Sequence, residues 1–249
     1  MCIDSVLLCC ARTTGVPGWA IERQFGSLIS SAERDRANRF RRLDDRYDFI
    51  VAHGLIRVAA GAVLQREPDS VEIHQDGSGA PFVKGLSASV SLSHTKDLVA
   101  CCAAGESHEL GVDAESLASH ERLREILEIY TSVREQTMLG STCDTEQAQQ
   151  LVDLWVAKEA VLKARGVGLS GPEGTAALRT IDCRLISETI CKRRYIAGDY
   201  DVSTWTVGAS HVVGLAVHVN ESIRVCPPVL LDLATSGSPS ATRTSLGPL

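Results

Sequence analysis

No C-x-x-C pair, H-E-x-x-H, G-x-x-x-x-G-K-[ST] or G-x-S-x-G occurs in the 249 residues. These absences remove the zincin, P-loop and hydrolase-elbow readings. With no Cys/His ligand spacing either, a structural zinc site is disfavoured. Positive charge is also short: 25 Lys and Arg against 31 Asp and Glu leave a net −6. Coating nucleic acid or an anionic membrane needs a basic field, so neither is an expected partner, although a small basic pocket stays compatible. Asp4 but no Lys or Arg precedes the first short apolar run. The chain therefore lacks the basic start of a secretory signal, no apolar stretch approaches a membrane span, and the expected location is the cytoplasm.

The composition is otherwise that of an ordinary globular chain, 44% apolar and 22% charged, long enough for one sizeable domain or two small ones sharing a core. The nine cysteines are odd in number, and four form the adjacent pairs Cys9-Cys10 and Cys101-Cys102 inside the apolar runs SVLLCCA and LVACCAA. Free cysteine behaves there as a small hydrophobe, so these read as reduced core residues rather than a disulfide framework. Residues 5–10, 97–103 and 211–219 read as buried strands. Between the first two, Phe40, Phe49, Leu55, Ile56 and Val63 interleave with charge at helical period, which predicts one or two helices. A second helical block runs from about Ser119 to Leu139, and a third starts near Thr145 and stops at Gly166.

A faint internal repeat also appears. VAHGLIRVAAG at 51–61 resembles VAKEAVLKARG at 156–166, and each is followed by a Ser-His pair, Ser93-His94 or Ser210-His211, and an apolar strand. After Pro227 the chain passes through VLLDL into a Pro, Ser, Gly and Thr mixture. The expectation is a loose tail over 227–249, disordered beyond about Thr235.

Two segments carry candidate chemistry. In LGVDAES, residues 110–116, strand alternation puts Leu110, Val112 and Ala114 on one face and Asp113 with Glu115 on the other. Paired carboxylates suit Mg²⁺, which takes one or two protein carboxylates and fills its shell with water and phosphate; a solvated strand face is the plain alternative. In LWVAKEAVLKARGVGLSG, residues 154–171, Leu151, Leu154, Trp155 and Leu162 mark a buried helical stripe, and Lys158 falls inside it. Glu159 and Lys163 are four residues apart on an adjacent face, either a helical ion pair or a third metal ligand flanked by a cation. GVGLSG at 166–171 matches G-x-G-x-x-G formally but follows a helix, where a dinucleotide fingerprint must follow a strand. His94, at the start of a buried strand beside Ser93, can donate to an anion. Of the Arg34, Arg36, Arg39, Arg41, Arg42 and Arg46 set, most read as solvated charges, with one or two able to clamp a terminal phosphate.

In order and spacing, ERDRANRFRRLDDRYDFIVAHGLIR, GSGAPF, SLSHT, GVDAE and WVAKEAVLKARGVGL resemble the 4′-phosphopantetheinyl transferases of the Sfp type over roughly residues 30–220. The resemblance implies an α/β (α+β) fold of two similar halves related by a pseudo-twofold axis, with residues 1–106 forming one half and 107–226 the other. It implies coenzyme A in the cleft between them, Mg²⁺ with Mn²⁺ as a substitute, and an acyl or peptidyl carrier protein as partner to a monomeric enzyme. Carried over residue by residue, Asp113, Glu115 and Glu159 are metal ligands, with Glu159 taking the carrier serine's proton. Lys158 and Lys163 contact phosphates, Lys163 also serving catalysis, and Ser93 and His94 meet the coenzyme A phosphate region. Gly79, Ala80 and Pro81 match the segment at the adenine, while Arg36, Arg42 and Arg46 are candidates for the 3′-phosphate. Ala80 stands where the family usually has Lys, and Asp48 where it commonly has Arg. The rival readings are a Mg²⁺-dependent nucleotide pyrophosphohydrolase and a noncatalytic module that binds coenzyme A or carrier.

Overall fold

The computed structural model describes residues 5–141, 143–167, 172–221 and 223–233. β1 (Ser5–Arg12) leads through α1 (Gly18–Phe25), α2 (Ser31–Ala37) and the long α3 (Leu43–Leu64) to a hairpin of β2 (Ile73–Gln75) and β3 (Pro81–Val83), then to β4 (Ser89–Thr95) and β5 (Leu98–Ala104). β6 (Leu110–Ser116) is followed by the short helices α4 (His120–Glu125), α5 (Leu127–Tyr130) and α6 (Val133–Leu139) and by the long α7 (Asp144–Ala164). After α8 (Pro172–Thr180) come β7 (Cys183–Glu188), β8 (Lys192–Ala197), β9 (Tyr200–Val207) and β10 (His211–His218), and then the short β11 (Arg224–Val225) and β12 (Val229–Leu231).

The strands form two main sheets. One runs β11-β1-β5-β4 with β12 also on β1, and the other is antiparallel in the order β6-β10-β9-β8-β7. Period-2 alternation explains how they stack. Cys9, Ala11, Cys101 and Ala103 of the first sheet pack with Ile50, Leu55 and Ile56 of α3. Their neighbours Leu8, Cys10, Ala100 and Cys102 face Val112, Ala114, Val213 and Leu215 of the second sheet. Val202, Val212 and Ala216 on the far side of that sheet meet Val156, Ala157 and Ala160 of α7. The layers are therefore helix, sheet, sheet, helix, and the two similar segments seen in the sequence lie on the two outer helices. The four paired cysteines are buried, and burial holds the Cys9 and Cys102 thiols up to about 12, so they stay neutral core residues near pH 7.

Local signals set the element boundaries. Ser30 and Glu33 form a capping box at the start of α2, and Ser132 and Glu135 form one at α6. α7 closes as expected, with Gly166 just beyond it at φ 68. The block expected from Ser119 to Leu139 is broken into three short helices, as Ile126 and Thr131 leave helical geometry between them. Two expectations need correction. α3 is long and apolar enough by composition to cross a bilayer, but 61% of its apolar window is buried, so it serves as a core helix. The tail does not begin at Pro227: Cys9, Cys10 and Ala11 of β1 pair with Val229, Leu230 and Leu231, and Leu233 is 1% exposed. An exposed β1 edge would leave backbone groups unpaired, and these short strands satisfy them. Residues 234–249, the rest of the expected tail, lie outside the described residues, as do 168–171 of GVGLSG.

One glycine decides how closely the second helix layer approaches. A Cβ at Gly111 would stand 2.2 Å from the carbonyl oxygen of Ala160 and 2.4 Å from the backbone nitrogen of Ala164. Helix α7 thus lies directly against the β6 backbone. Gly111→Ala should lower stability by at least about 1–3 kcal/mol through overpacking. Urea unfolding measures this, and an unchanged midpoint would contradict the close approach.

Candidate active site

The β6–α7 contact brings Asp113, Glu159 and Lys163 together. Asp113, on the face of β6 turned to the helix, is 6% exposed, and its Oδ1 accepts hydrogen bonds from Lys163 Nζ (2.8 Å) and Ser93 Oγ (2.8 Å). Its Oδ2 is buried without a partner among the described residues, as is Oε1 of Glu159. Glu159 is 6% exposed. Burial, and next the charge of Asp113, push its carboxyl up to about 8, against the opposing pull of Lys163. Glu115 is less enclosed: Oε2 accepts from Ser119 Oγ at 2.8 Å and Oε1 from Arg122 Nη2 at 3.1 Å.

Among the described residues no trio of His, Cys, Asp or Glu stands ready at ligand distance around one point. Glu115 accounts for this, being turned to Ser119 and Arg122. Asp113 and Glu159 nevertheless each offer a buried carboxylate oxygen with no partner, and such groups are costly to leave unsatisfied. Mg²⁺ commonly takes only one or two protein carboxylates, so this donor set fits it, and Glu115 can join by exchanging its arginine.

The pH dependence follows from Glu159. A carboxyl whose folded pKa is raised from 4.5 to about 8 holds an extra proton in the native state between those values. Stability is thus lost as pH rises through that window. Thermal melts of metal-free protein, compared with Glu159→Gln, should show wild type falling relative to the variant from about pH 5 to about pH 8. A flat difference over that range would mean that the carboxylate is already ionised in the native state.

A second feature lies across β4. A cavity of about 830 Å³ is lined by Arg36, His53, His74, Gly79, Pro81 and His94, among others. β4 connects it to the carboxylates, since Leu92 and His94 line the cavity while Ser93 between them bonds Asp113.

Several expected residues are placed differently. Lys158 is fully buried, and its Nζ donates to Glu135 Oε2 (2.8 Å), the Ile181 carbonyl (2.6 Å) and the Leu178 carbonyl (3.2 Å). It cannot reach a phosphate and instead joins α7 to α6 and α8. Ser93 directs its hydroxyl to Asp113 and not to the cavity. Arg46 bonds Glu22 (2.7 Å), and Arg42 is exposed beside Asp44 and Asp45; neither lines the cavity. Arg36 does, with its guanidinium 5.2 Å over the Phe49 ring. Gly79 and Pro81 line the cavity, while Ala80 between them donates its N–H to Asp76 Oδ1 (3.0 Å). The sequence reading missed Glu33, His53 and Arg57, which cluster in the cavity wall, and Ser119 and Arg122, which hold Glu115. The capping-box spacing of Ser30 and Glu33 marked a helix start but not this second use of the carboxylate.

The site thus combines a cavity of nucleotide size with buried carboxylates and a lysine, joined by one strand. Residues 109–219, which contain Asp113, Glu115, Glu159 and Lys163, match the model of the 4′-phosphopantetheinyl transferase superfamily. The 4′-phosphopantetheinyl transferase HetI of Nostoc sp. is 30% identical over 152 residues, covering 59% of this chain and 64% of that protein. The 4′-phosphopantetheinyl transferase Sfp of Bacillus subtilis is 27% identical over 157 residues, 63% of this chain and 68% of its own. The chain thus spans about two thirds of the length of these relatives. A holo-(acyl-carrier-protein) synthase of Bacillus anthracis overlays at TM-score 0.36 and 20% identity over 44% of this chain and 93% of that one, too loosely to bear on the site.

Proposed function

We propose that this protein is a Mg²⁺-dependent 4′-phosphopantetheinyl transferase. It moves the phosphopantetheine arm of coenzyme A onto a serine of an acyl or peptidyl carrier protein of fatty acid, polyketide or nonribosomal peptide synthesis, and releases 3′,5′-ADP. The observation that carries this reading is the meeting of Asp113, Glu159 and Lys163 at the β6–α7 contact, with one buried oxygen on each carboxylate left without a partner. One chain supplies both the cavity and the carboxylates, so the working unit is read as a monomer, in the cytoplasm and without a nucleic-acid or membrane partner.

In this reading the cavity takes the nucleotide end of coenzyme A and β4 leads its pyrophosphate to the carboxylates. The serine oxygen attacks the β-phosphorus, and the bond from that phosphorus to the bridging oxygen of 3′,5′-ADP breaks. The serine proton passes to Glu159, directly or through water, which requires Glu159 to have shed its own proton first. Lys163, positioned by Asp113, stabilises charge developing on the phosphate oxygens. Asp113 and Glu159, with Glu115, would hold Mg²⁺, which when bound would supply charge neutralisation for the phosphate oxygens. The test is the intact mass of apo carrier proteins after incubation with coenzyme A and Mg²⁺, where one phosphopantetheine should be gained. No gain with any of a panel of carriers would sink the proposal. Release of phosphopantetheine to water without a carrier would identify a pyrophosphohydrolase, and carrier binding without turnover a noncatalytic module.

A further inference from the structure

Three of the seven histidines, His53, His74 and His94, line the cavity beside β4. The fixed charges around them are largely cancelled. Arg57 is 4% exposed and engages Glu33 through both terminal nitrogens, at 3.2 and 2.9 Å. Asp69 and Glu72 add negative charge to the wall; Glu72 is shared between His74 (3.6 Å) and Lys84 (3.1 Å). His94 lies within electrostatic reach of Asp48, whose carboxyl is itself raised, first by burial. Arg36 is the remaining lining arginine, and it pairs with the Phe49 ring rather than with a carboxylate among the described ion pairs. A wall with this balance holds a phosphate well only if an imidazole adds charge.

His53 is built for that role. Its Nδ1 lies 2.6 Å from Glu33 Oε1, and its ring stacks on Phe49 with centroids 4.1 Å apart. Although burial opposes it, hydrogen bonds from His53 and Ser30 and the charge of Arg57 hold the Glu33 carboxyl down to about 2, so Glu33 is ionised throughout the physiological range. A carboxylate on Nδ1 fixes that nitrogen as the N–H and leaves Nε2 as the ring's other polar atom. With Arg57 already neutralising Glu33, a proton on Nε2 brings net positive charge to the cavity.

We propose that His53, oriented by Glu33, is a specificity residue that recognises a phosphate of the bound nucleotide through Nε2–H, and that its protonation sets the affinity. This rests on the reading of the cavity as the coenzyme A site. The probe is 3′,5′-ADP, titrated calorimetrically into the full chain, His53→Arg and His53→Gln at about pH 5.5 and about pH 8, on either side of the ordinary imidazole range. Wild type should bind about tenfold more tightly at the lower pH than at the higher, a ratio of the size one charge-assisted contact supports. The Arg variant keeps its charge at both values and should lose most of that ratio, whereas the Gln variant should bind weakly at both. The His53→Gln variant keeps His74, His94 and the ligand phosphates, so whatever pH dependence survives in it is the background against which His53 is read. If both variants keep the wild-type ratio and affinity, His53 does not read phosphate. If wild type binds neither 3′,5′-ADP nor coenzyme A at either pH, the cofactor reading of the cavity itself fails.

Discussion

Glu159→Gln should reduce transfer of phosphopantetheine to a carrier by about 10³-fold or more while leaving the fold intact or stabilised. A general base alone contributes about 10²–10⁴-fold, and here the same carboxylate is also a proposed metal ligand. The stabilising direction follows from burial. Glu159 is 6% exposed, and the nearby charge of Asp113 disfavours its ionisation, so its charged form is a cost that the amide does not carry. This variant is cleaner than Asp113→Ala, which would remove the acceptor of both Ser93 Oγ and Lys163 Nζ and so mix lost chemistry with lost packing. Carrier mass after a timed incubation and a urea midpoint at about pH 8 measure the two effects. Full transfer by Glu159→Gln would refute the assignment of Glu159, and a large drop in midpoint would show that the carboxylate is structural.

Lys158→Ala should lower stability by about 3–5 kcal/mol, because it strands the buried carboxylate of Glu135 and two backbone carbonyls. Glu135 is already committed elsewhere: it closes the α6 capping box with Ser132 and accepts the N–H of Cys183 at 2.8 Å. One ammonium thus fastens the α6 start, the α8 end and the β7 start onto the helix that carries Glu159. The double variant Glu135→Gln with Lys158→Met removes both charges and should regain at least half of the loss, as apolar replacements of whole buried pairs often do. Equilibrium unfolding in urea reads both values. Native stability in Lys158→Ala combined with weakened coenzyme A binding would instead restore the phosphate-contact role that the sequence motif suggested.

The contrast between Lys158 and Asp113 shows what can be read in one dimension. Asp113 and Glu115 lie on a strand whose alternation is local, so their shared face and the apolar character of Leu110, Val112 and Ala114 were visible in seven letters. The α7 boundaries were likewise set by a periodic stripe and a terminal glycine. Lys158 was visible as an anomaly in that stripe, but the explanation lies at Glu135, 23 residues earlier, on a helix whose position depends on the whole fold. The arginine set failed for the same reason: composition cannot say that Arg34 and Arg46 share Glu22 while Arg36 turns to Phe49 and the cavity. The strand at Val229–Leu231 exists because its partner is Cys9–Ala11, more than two hundred residues away, and short apolar triplets carry no local signature of such pairing.

That last pairing bears on how the molecule is made. The first sheet is begun by the first described strand and completed by the last, and Gln24 Nε2 donates to the Leu233 carbonyl at 3.0 Å. The amino-terminal layer therefore cannot finish folding as it leaves the ribosome; its β1 edge and the pocket for Leu233 wait until residues 229–233 have been synthesised. Folding is slow when contacts are this distant in sequence, and an open strand edge during the wait is prone to wrong pairing. A cut between the two layers would not yield two self-sufficient pieces, since the amino-terminal one would lack the strand that seals it.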